Sequence, residues 1–336
     1  MLKTITEQNL RLLIDLLVKE GSRVVGPKQA GAMTLYEPLA TGDELTLGAL
    51  PRRSAKETFF PVCEDILSFE KKEGRMTVAD VDLARLPDTV LVGALPCDAA
   101  APGILDAVFS WDYHDEFFLE RRQKTTIIGL ACTKSDDACF CTAVGLSPAE
   151  TRGSDLFLTP LQDGGFAVQV LTEKGERLLA AHAGLFAETV APAAPVPQAT
   201  PDLEKLDLQK IREWLDKNFE SDFWQEIAER CVGCGACAFI CPACHCFDIN
   251  DEGSEGKGVR RKHWDACGFG KFTNHASGHN PRDVQPRRYR NRIMHKFKYY
   301  DDKFGQTLCT GCGRCVRACQ VGIDIAAVVE EISKKN

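Results

Sequence analysis

A chain of 336 residues with 44% apolar content is long enough for two globular domains of ordinary size, each with a core of its own. Its net charge of −7 argues against nucleic acid as the main partner, and the lack of any apolar run of membrane-spanning length argues against direct membrane insertion. Sixteen cysteines, with no apolar stretch and small-residue cleavage site at the start to mark export, argue against a disulfide scaffold and point to metal ligation in the cytoplasm.

Taken in chain order, the opening MLKTITEQNLRLLIDLLVKEG reads as an amphipathic helix that buries Leu10, Leu13, Ile14 and Leu17. The Gly21–Gly26 stretch is too weak a glycine signal to invoke a nucleotide, and neither G-x-G-x-x-G nor a Walker loop occurs, so no flavin or NAD is expected on this chain, which leaves a partner free to carry either. Phe59, Phe60 and Pro61 form an apolar patch that suits either core or partner surface. Thr89–Gly93 and Thr126–Leu130 are apolar strands with helix between them around Ile104–Phe109. DLFLTPL and FAVQVLT make a hairpin across Asp163-Gly164-Gly165. Residues 1–186 are therefore expected to form a mixed α/β domain.

Two cysteines of this domain, Cys97 and Cys132, directly follow the predicted strands, and strand ends of a parallel sheet emerge on one edge. With Cys139 and Cys141 of the CFC element they make four thiols that can converge, and a third [4Fe-4S] cluster is the expectation. Structural zinc, or plain buried or reactive cysteines, are the alternatives. Asp98 suits an acid/base, an acceptor beside a metal site, or a helix cap. No trio of acid, base and nucleophile is present, so no catalytic residue is assigned.

Residues 187–202, rich in alanine and proline, read as a linker, and 203–336 as the second domain. Leu208, Ile211, Leu215, Phe219, Phe223 and Ile227 recur at helical spacing and lead into Cys231, Cys234, Cys237 and Cys241, which Cys309, Cys312, Cys315 and Cys319 answer. Both quartets have the C-x2-C-x2-C-x3-C spacing of two-cluster ferredoxins, in which the fourth cysteine of each run ligates the other run's cluster. The expected sets are Cys231, Cys234, Cys237 and Cys319 for one [4Fe-4S] cluster, and Cys309, Cys312, Cys315 and Cys241 for the other. Gly233, Gly235, Gly311 and Gly313 suit backbone that curls tightly around sulfur. Zinc modules normally have a longer central gap, which disfavours zinc or disulfides here.

The segment 242–308 is long for a minimal ferredoxin, and NRIMHKFKYYDDKFG within it suits a helix with Ile293, Phe297 and Tyr300 on one side. The expected class is thus α+β, an α/β domain followed by a mainly helical ferredoxin-like domain. Cys244, Cys246 and Cys267 suit the wall of a cluster cavity, or a further metal completed by His245 or His263. Between Lys257 and Lys298 there are twelve lysines and arginines against two acids, Asp265 and Asp283. Arg260, Arg261, Arg287, Arg288, Arg290 and Lys296 are read as neutralising clusters and thiolates, or as docking an acidic partner.

SAKETFFPVCEDIL at 54–67, LPCDAAAPGILDAVF at 95–109, CFCTAVGLSP at 139–148, CVGCGACAFICPACHCFD at 231–248, RRKHWDACGFGKFTNHASGHNPR at 260–282 and CTGCGRCVRAC at 309–319 resemble the beta subunits of soluble nickel–iron sulfhydrogenases and their iron–sulfur relative in anaerobic sulfite reductase. The resemblance implies a non-catalytic iron–sulfur electron-transfer subunit. It would work beside a flavin- and NAD(P)-binding diaphorase-like subunit or ferredoxin, and beside hydrogenase or sulfite-reductase-type terminal subunits. The second run departs from the usual pattern at Cys319-Gln320, where proline is more common; that removes a turn preference, not a thiolate. Competing readings are a subunit that reduces a substrate at the N-terminal cysteines, and a docking scaffold with only two electron-transfer clusters.

Overall fold

The computed structural model describes residues 2–189, 194–199, 201, 203 and 205–335. The chain divides into two compact units, neither continuous in sequence: Met1–Phe59, Pro87–Leu206 and Cys309–Arg314 in the first, Phe60–Leu86, Asp207–Leu308 and Cys315–Asn336 in the second.

The first unit is built on an eight-stranded sheet in the order Ala187–Thr189, Leu2–Ile5, Phe166–Val170, Leu156–Pro160, Thr125–Leu130, Thr89–Ala94, Arg23–Ala30 and Met33–Pro38. Leu156–Pro160, Thr125–Leu130, Thr89–Ala94 and Arg23–Ala30 run parallel. Thr89–Ala94 is buried at every position, as a parallel strand covered on both faces requires. Phe166–Val170 pairs antiparallel with Leu156–Pro160, forming the expected hairpin. The Glu7–Lys19 helix is capped by Thr6, whose hydroxyl accepts from Asn9 N, and buries Leu10, Leu13, Ile14 and Leu17 against this sheet. Leu2–Ile5 is strand, not the start of that helix. Thr4 and Ile5 are β-branched, Thr6 holds the cap position that starts the helix, and antiparallel neighbours pair with the segment on both sides.

The alanine- and proline-rich segment is not wholly free. Ala187–Thr189 is an edge strand, Val196 N donates to Pro160 O, and Ala199 N donates to Cys132 O. Residues 190–193, 200 and 202 lie outside the described residues.

The second unit is mainly helical and also carries a four-stranded antiparallel sheet, ordered Phe247–Ser254, Lys257–Trp264, Cys63–Lys72 and Arg75–Asp80. Helix Leu208–Lys217 stops before Phe223–Ala228 begins, and Trp214, Phe223 and Trp224 pack edge-to-face. Gln285–Met294 continues through a π-helical turn, His295–Tyr299, into Tyr300–Phe304, with Ile293, Phe297 and Tyr300 buried as their spacing implies. A wider turn of this kind re-aims side chains and is common at functional sites; here it carries Lys296, which is only 2% exposed.

Candidate metal centre

In the second unit Cys231, Cys234, Cys237 and Cys319 line one cavity of about 50 Å³, together with Cys267 and Cys315. Its wall is curled backbone. Gly233 and Gly235 have φ of +66° and +74°, and a Cβ on Gly235 would lie 2.5 Å from the Phe269 ring. Helix Gln285–Met294 supplies the opposite side through Gln285, Tyr289 and Arg292.

The polar groups here are aimed at sulfur. Gln285 Nε2 donates to Cys231 Sγ at 3.0 Å, and Ile323 N to Cys319 Sγ at 3.2 Å. Arg292 is buried and donates to Cys237 O at 3.1 Å and Cys244 Sγ at 3.7 Å. Lys296 Nζ donates to Cys241 Sγ at 3.3 Å and Leu308 O at 2.9 Å. Burial opposes the Arg292 charge, but the cysteines around it, led by Cys237 and Cys244, hold it firmly protonated. A hydrogen bond from Cys246, helped by Arg292 and Lys296, pulls the Cys267 thiol down to about 6 against burial, while its partner Cys246 is pushed up. Cys244 and Cys267 thus lie beside buried cations, Cys246 pairs with Cys267, and Cys267 lines the cavity itself. Thiols around a cavity, N–H groups on sulfur and buried cations are the donor chemistry that an anionic iron–sulfur cluster requires, and these residues fit such a group.

Of the second quartet, Cys309 and Cys312 belong to the first unit, and Cys315 and Cys319, like Cys241, to the second. Gly311 N donates to Cys309 Sγ at 3.4 Å. The four N-terminal cysteines lie in the first unit, where Cys132, Cys139 and Cys141 act on one another electrostatically and Cys97 is reached by Cys132. Burial, then Cys132 and Cys139, raises Cys141 to about 11; burial raises Cys132, with Cys139 adding to it. Cys97 is raised well above its usual range by burial and then by Asp98, with Cys312 and Cys132 contributing. Asp98 is not a helix cap: the Pro96–Ala99 turn has Leu95 at its N-cap, and the Asp98 carboxylate accepts instead from Arg314, Tyr36 and Ala55. Among the described residues, no three or more His, Cys, Asp or Glu side chains gather where they could hold a metal ion. A cubane spreads its four thiolates over four separate irons, so its signature is a ring of thiols rather than convergence on a point.

Much of the basic segment is paired with acids. Arg260 pairs with Asp251, Arg261 with Asp65 and Glu252, Arg287 with Asp283, and Arg290 with Glu220. Lys296 alone of the cations singled out by sequence is seen bonded to a cysteine sulfur here, and Arg292 was missed. The available signal was its i, i+4 spacing to Lys296 and i, i+3 spacing to Tyr289, which put all three on one helical face. Phe59 and Phe60 are core residues, each 1% exposed.

A family model described as a 4Fe-4S dicluster domain matches residues 230–323. The chain is 30% identical over 322 residues to sulfhydrogenase 2 subunit beta of Pyrococcus furiosus, a match covering 94% of this chain and 93% of that protein. No solved structure matches. No helix among the described residues is long and apolar enough to cross a membrane. The chain carries a two-cluster iron–sulfur domain and has an electron-transfer role in an iron–sulfur oxidoreductase complex.

Proposed function

The chain belongs to the sulfhydrogenase subunit beta family, and from that premise we propose that it is a cytoplasmic relay, without catalytic residues of its own. It passes electrons between a flavin- and NAD(P)-binding subunit, or ferredoxin, and a terminal hydrogenase or reductase subunit. The observation that carries this reading is the single cavity lined by Cys231, Cys234, Cys237 and Cys319, with Arg292 in its wall. These four cysteines hold the first cluster; Cys309, Cys312, Cys315 and Cys241 hold the second; Cys97, Cys132, Cys139 and Cys141 hold a third.

Bound there, a [4Fe-4S] cluster supplies one-electron storage, at a potential set by charge, hydrogen bonds to sulfur and burial. The chain's own part is electrostatic. Gln285 and the Ile323 amide donate to cysteine sulfur, Arg292 and Lys296 supply buried positive charge, and Tyr289 walls the site with aromatic surface. Iron and acid-labile sulfide per anaerobically reconstituted chain test the reading. About twelve irons are expected for three clusters, about eight would confine the relay to the dicluster domain, and zinc in place of iron would end the proposal.

A second reading, reduction of a substrate at the N-terminal cysteines, is supported by a cavity of about 320 Å³ at the carboxyl ends of the parallel strands, walled by Leu47, Leu95, Leu130 and Cys132. A change in the reduced spectrum on adding a substrate, lost in Cys132→Ser, would favour it over the relay.

A further inference from the structure

Asp98 and Arg314 form an ion pair inside the first unit, their side chains 0% and 3% exposed. The geometry is a fork: Arg314 donates to Asp98 Oδ1 at 2.9 Å and to Oδ2 at 2.6 Å. Arg314 Nε donates to Pro51 O at 3.0 Å, while Asp98 also accepts from Tyr36 Oη at 3.0 Å and Ala55 N at 3.4 Å. Tyr36 Oη is itself held by Leu95 N at 3.1 Å. Both charges are therefore held by hydrogen bonds from parts of the first unit far apart in sequence.

Each half of the pair adjoins a cysteine expected to bind a cluster. Asp98 follows Cys97, and Arg314 lies two residues after Cys312. The same run is seated on the CFC element backbone to backbone. Phe140 N donates to Gly311 O at 2.9 Å, and a Cβ on Gly311 or Gly313 would come within 2.5 Å of Cys141 or 2.2 Å of Ala138. A buried ion pair adds little net stability, because desolvation offsets most of its attraction. Its larger effects are on geometry and on local charge. A lone guanidinium beside Cys312 would favour the more negative, reduced form of a cluster held there, and a carboxylate bound to it cancels that bias.

We propose that Asp98 is a positioning residue for electron transfer: held in the fork with Arg314, it seats the second cysteine run on the N-terminal cysteine loop and cancels the Arg314 charge at Cys97 and Cys312. The cluster bound through Cys312 then keeps a lower potential than Arg314 alone would give it. The inference rests on the reading of Cys312 as a cluster ligand.

The experiment is a redox titration of the reconstituted full chain, followed by low-temperature electron paramagnetic resonance, with iron counted in every sample. The signal of the Cys312 cluster is identified by its loss in Cys312→Ser. Asp98→Asn is expected to raise that cluster's midpoint while leaving the midpoint of the Cys231 cavity in place, and Asp98→Glu, which restores the charge, to bring it back. The double variant Asp98→Asn with Arg314→Gln removes both charges and is expected to keep its iron and the unaltered midpoint. Full iron loading in Asp98→Asn with no rise would overturn the proposal, as would a fall in the double variant, because Arg314 would then have been acting uncompensated. Should Asp98→Asn fail to load iron, the double variant decides by the same criterion. An unaltered chain that takes up zinc, or fewer than about eight irons, defeats the ligand reading itself before any variant is compared.

Discussion

In the second unit Arg292 and Lys296 give hydrogen bonds directly to cysteine sulfur, whereas in the first unit Arg314, equally buried, gives its fork to Asp98. The two regions differ in the partner that each buried cation takes. Burial raises Cys97, Cys132 and Cys141 in the first unit and Cys237 in the second, whereas Cys267 is pulled down to about 6, first by the hydrogen bond from Cys246 and then by Arg292 and Lys296. A cation aimed at sulfur favours added negative charge at that site; one already satisfied by a carboxylate leaves the site as burial made it. Local charge and hydrogen bonds to sulfur are among the means by which proteins set cluster potentials.

The largest test of that contrast is loss of metal. Cys319→Ser should remove about four irons by taking the fourth thiolate from the Cys231 cavity, and Cys139→Ser with Cys141→Ser should remove about four others. Iron analysis reads both, and an unchanged count in the second case would leave the first unit without a cluster. Next in size is stability of the metal-free chain in urea. Asp98→Asn leaves Arg314 buried and unpaired and should cost about 3–5 kcal/mol, whereas Arg292→Met removes a charge held mainly by the thiols around it and should cost much less. Equal losses would mean the two cations sit in equivalent surroundings after all.

Gly311→Ala should cost about 3 kcal/mol, since its Cβ would meet the Cys141 backbone at 2.5 Å with φ at +61°. A chain as stable as the original would show that the run is not seated on the CFC element. The smallest effect is on pH dependence. Burial, with His245 and Lys296 nearby, lowers His295 to about 3 in the folded state. The unfolded state therefore binds the extra proton once pH falls below about 6.5, and stability should drop by about 2 kcal/mol between pH 7 and pH 5. His295→Gln should flatten that slope, and an unchanged slope would assign it to other groups.

What could be read from sequence follows a physical line. The two-cluster domain was legible because its cysteine runs keep the short, regular spacing typical of such domains. Thr89–Gly93 was legible as a continuous apolar run because a strand covered on both faces is buried throughout, and the Leu10, Leu13, Ile14, Leu17 face because one-sided burial imposes a period on a helix. Leu2–Ile5 was misread because four residues ahead of a helix carry too little pattern to compete with it, and only pairing with Phe166–Val170 and Ala187–Thr189 makes them strand. The Cys63–Lys72 and Arg75–Asp80 strands went unseen for a related reason: Arg75–Asp80 is exposed at every position, so no alternation marks it.

The sequence by itself determined the two-cluster domain and the mixed character of the N-terminal half, both of which depend on residue type and local spacing. The tertiary structure alone decided that Arg292 faces sulfur, and that Arg314 meets Asp98 across 216 positions. Those pairings depend on which surfaces the folded chain brings together. A charged residue in a sequence does not reveal whether its partner will be a thiol, a carboxylate or water.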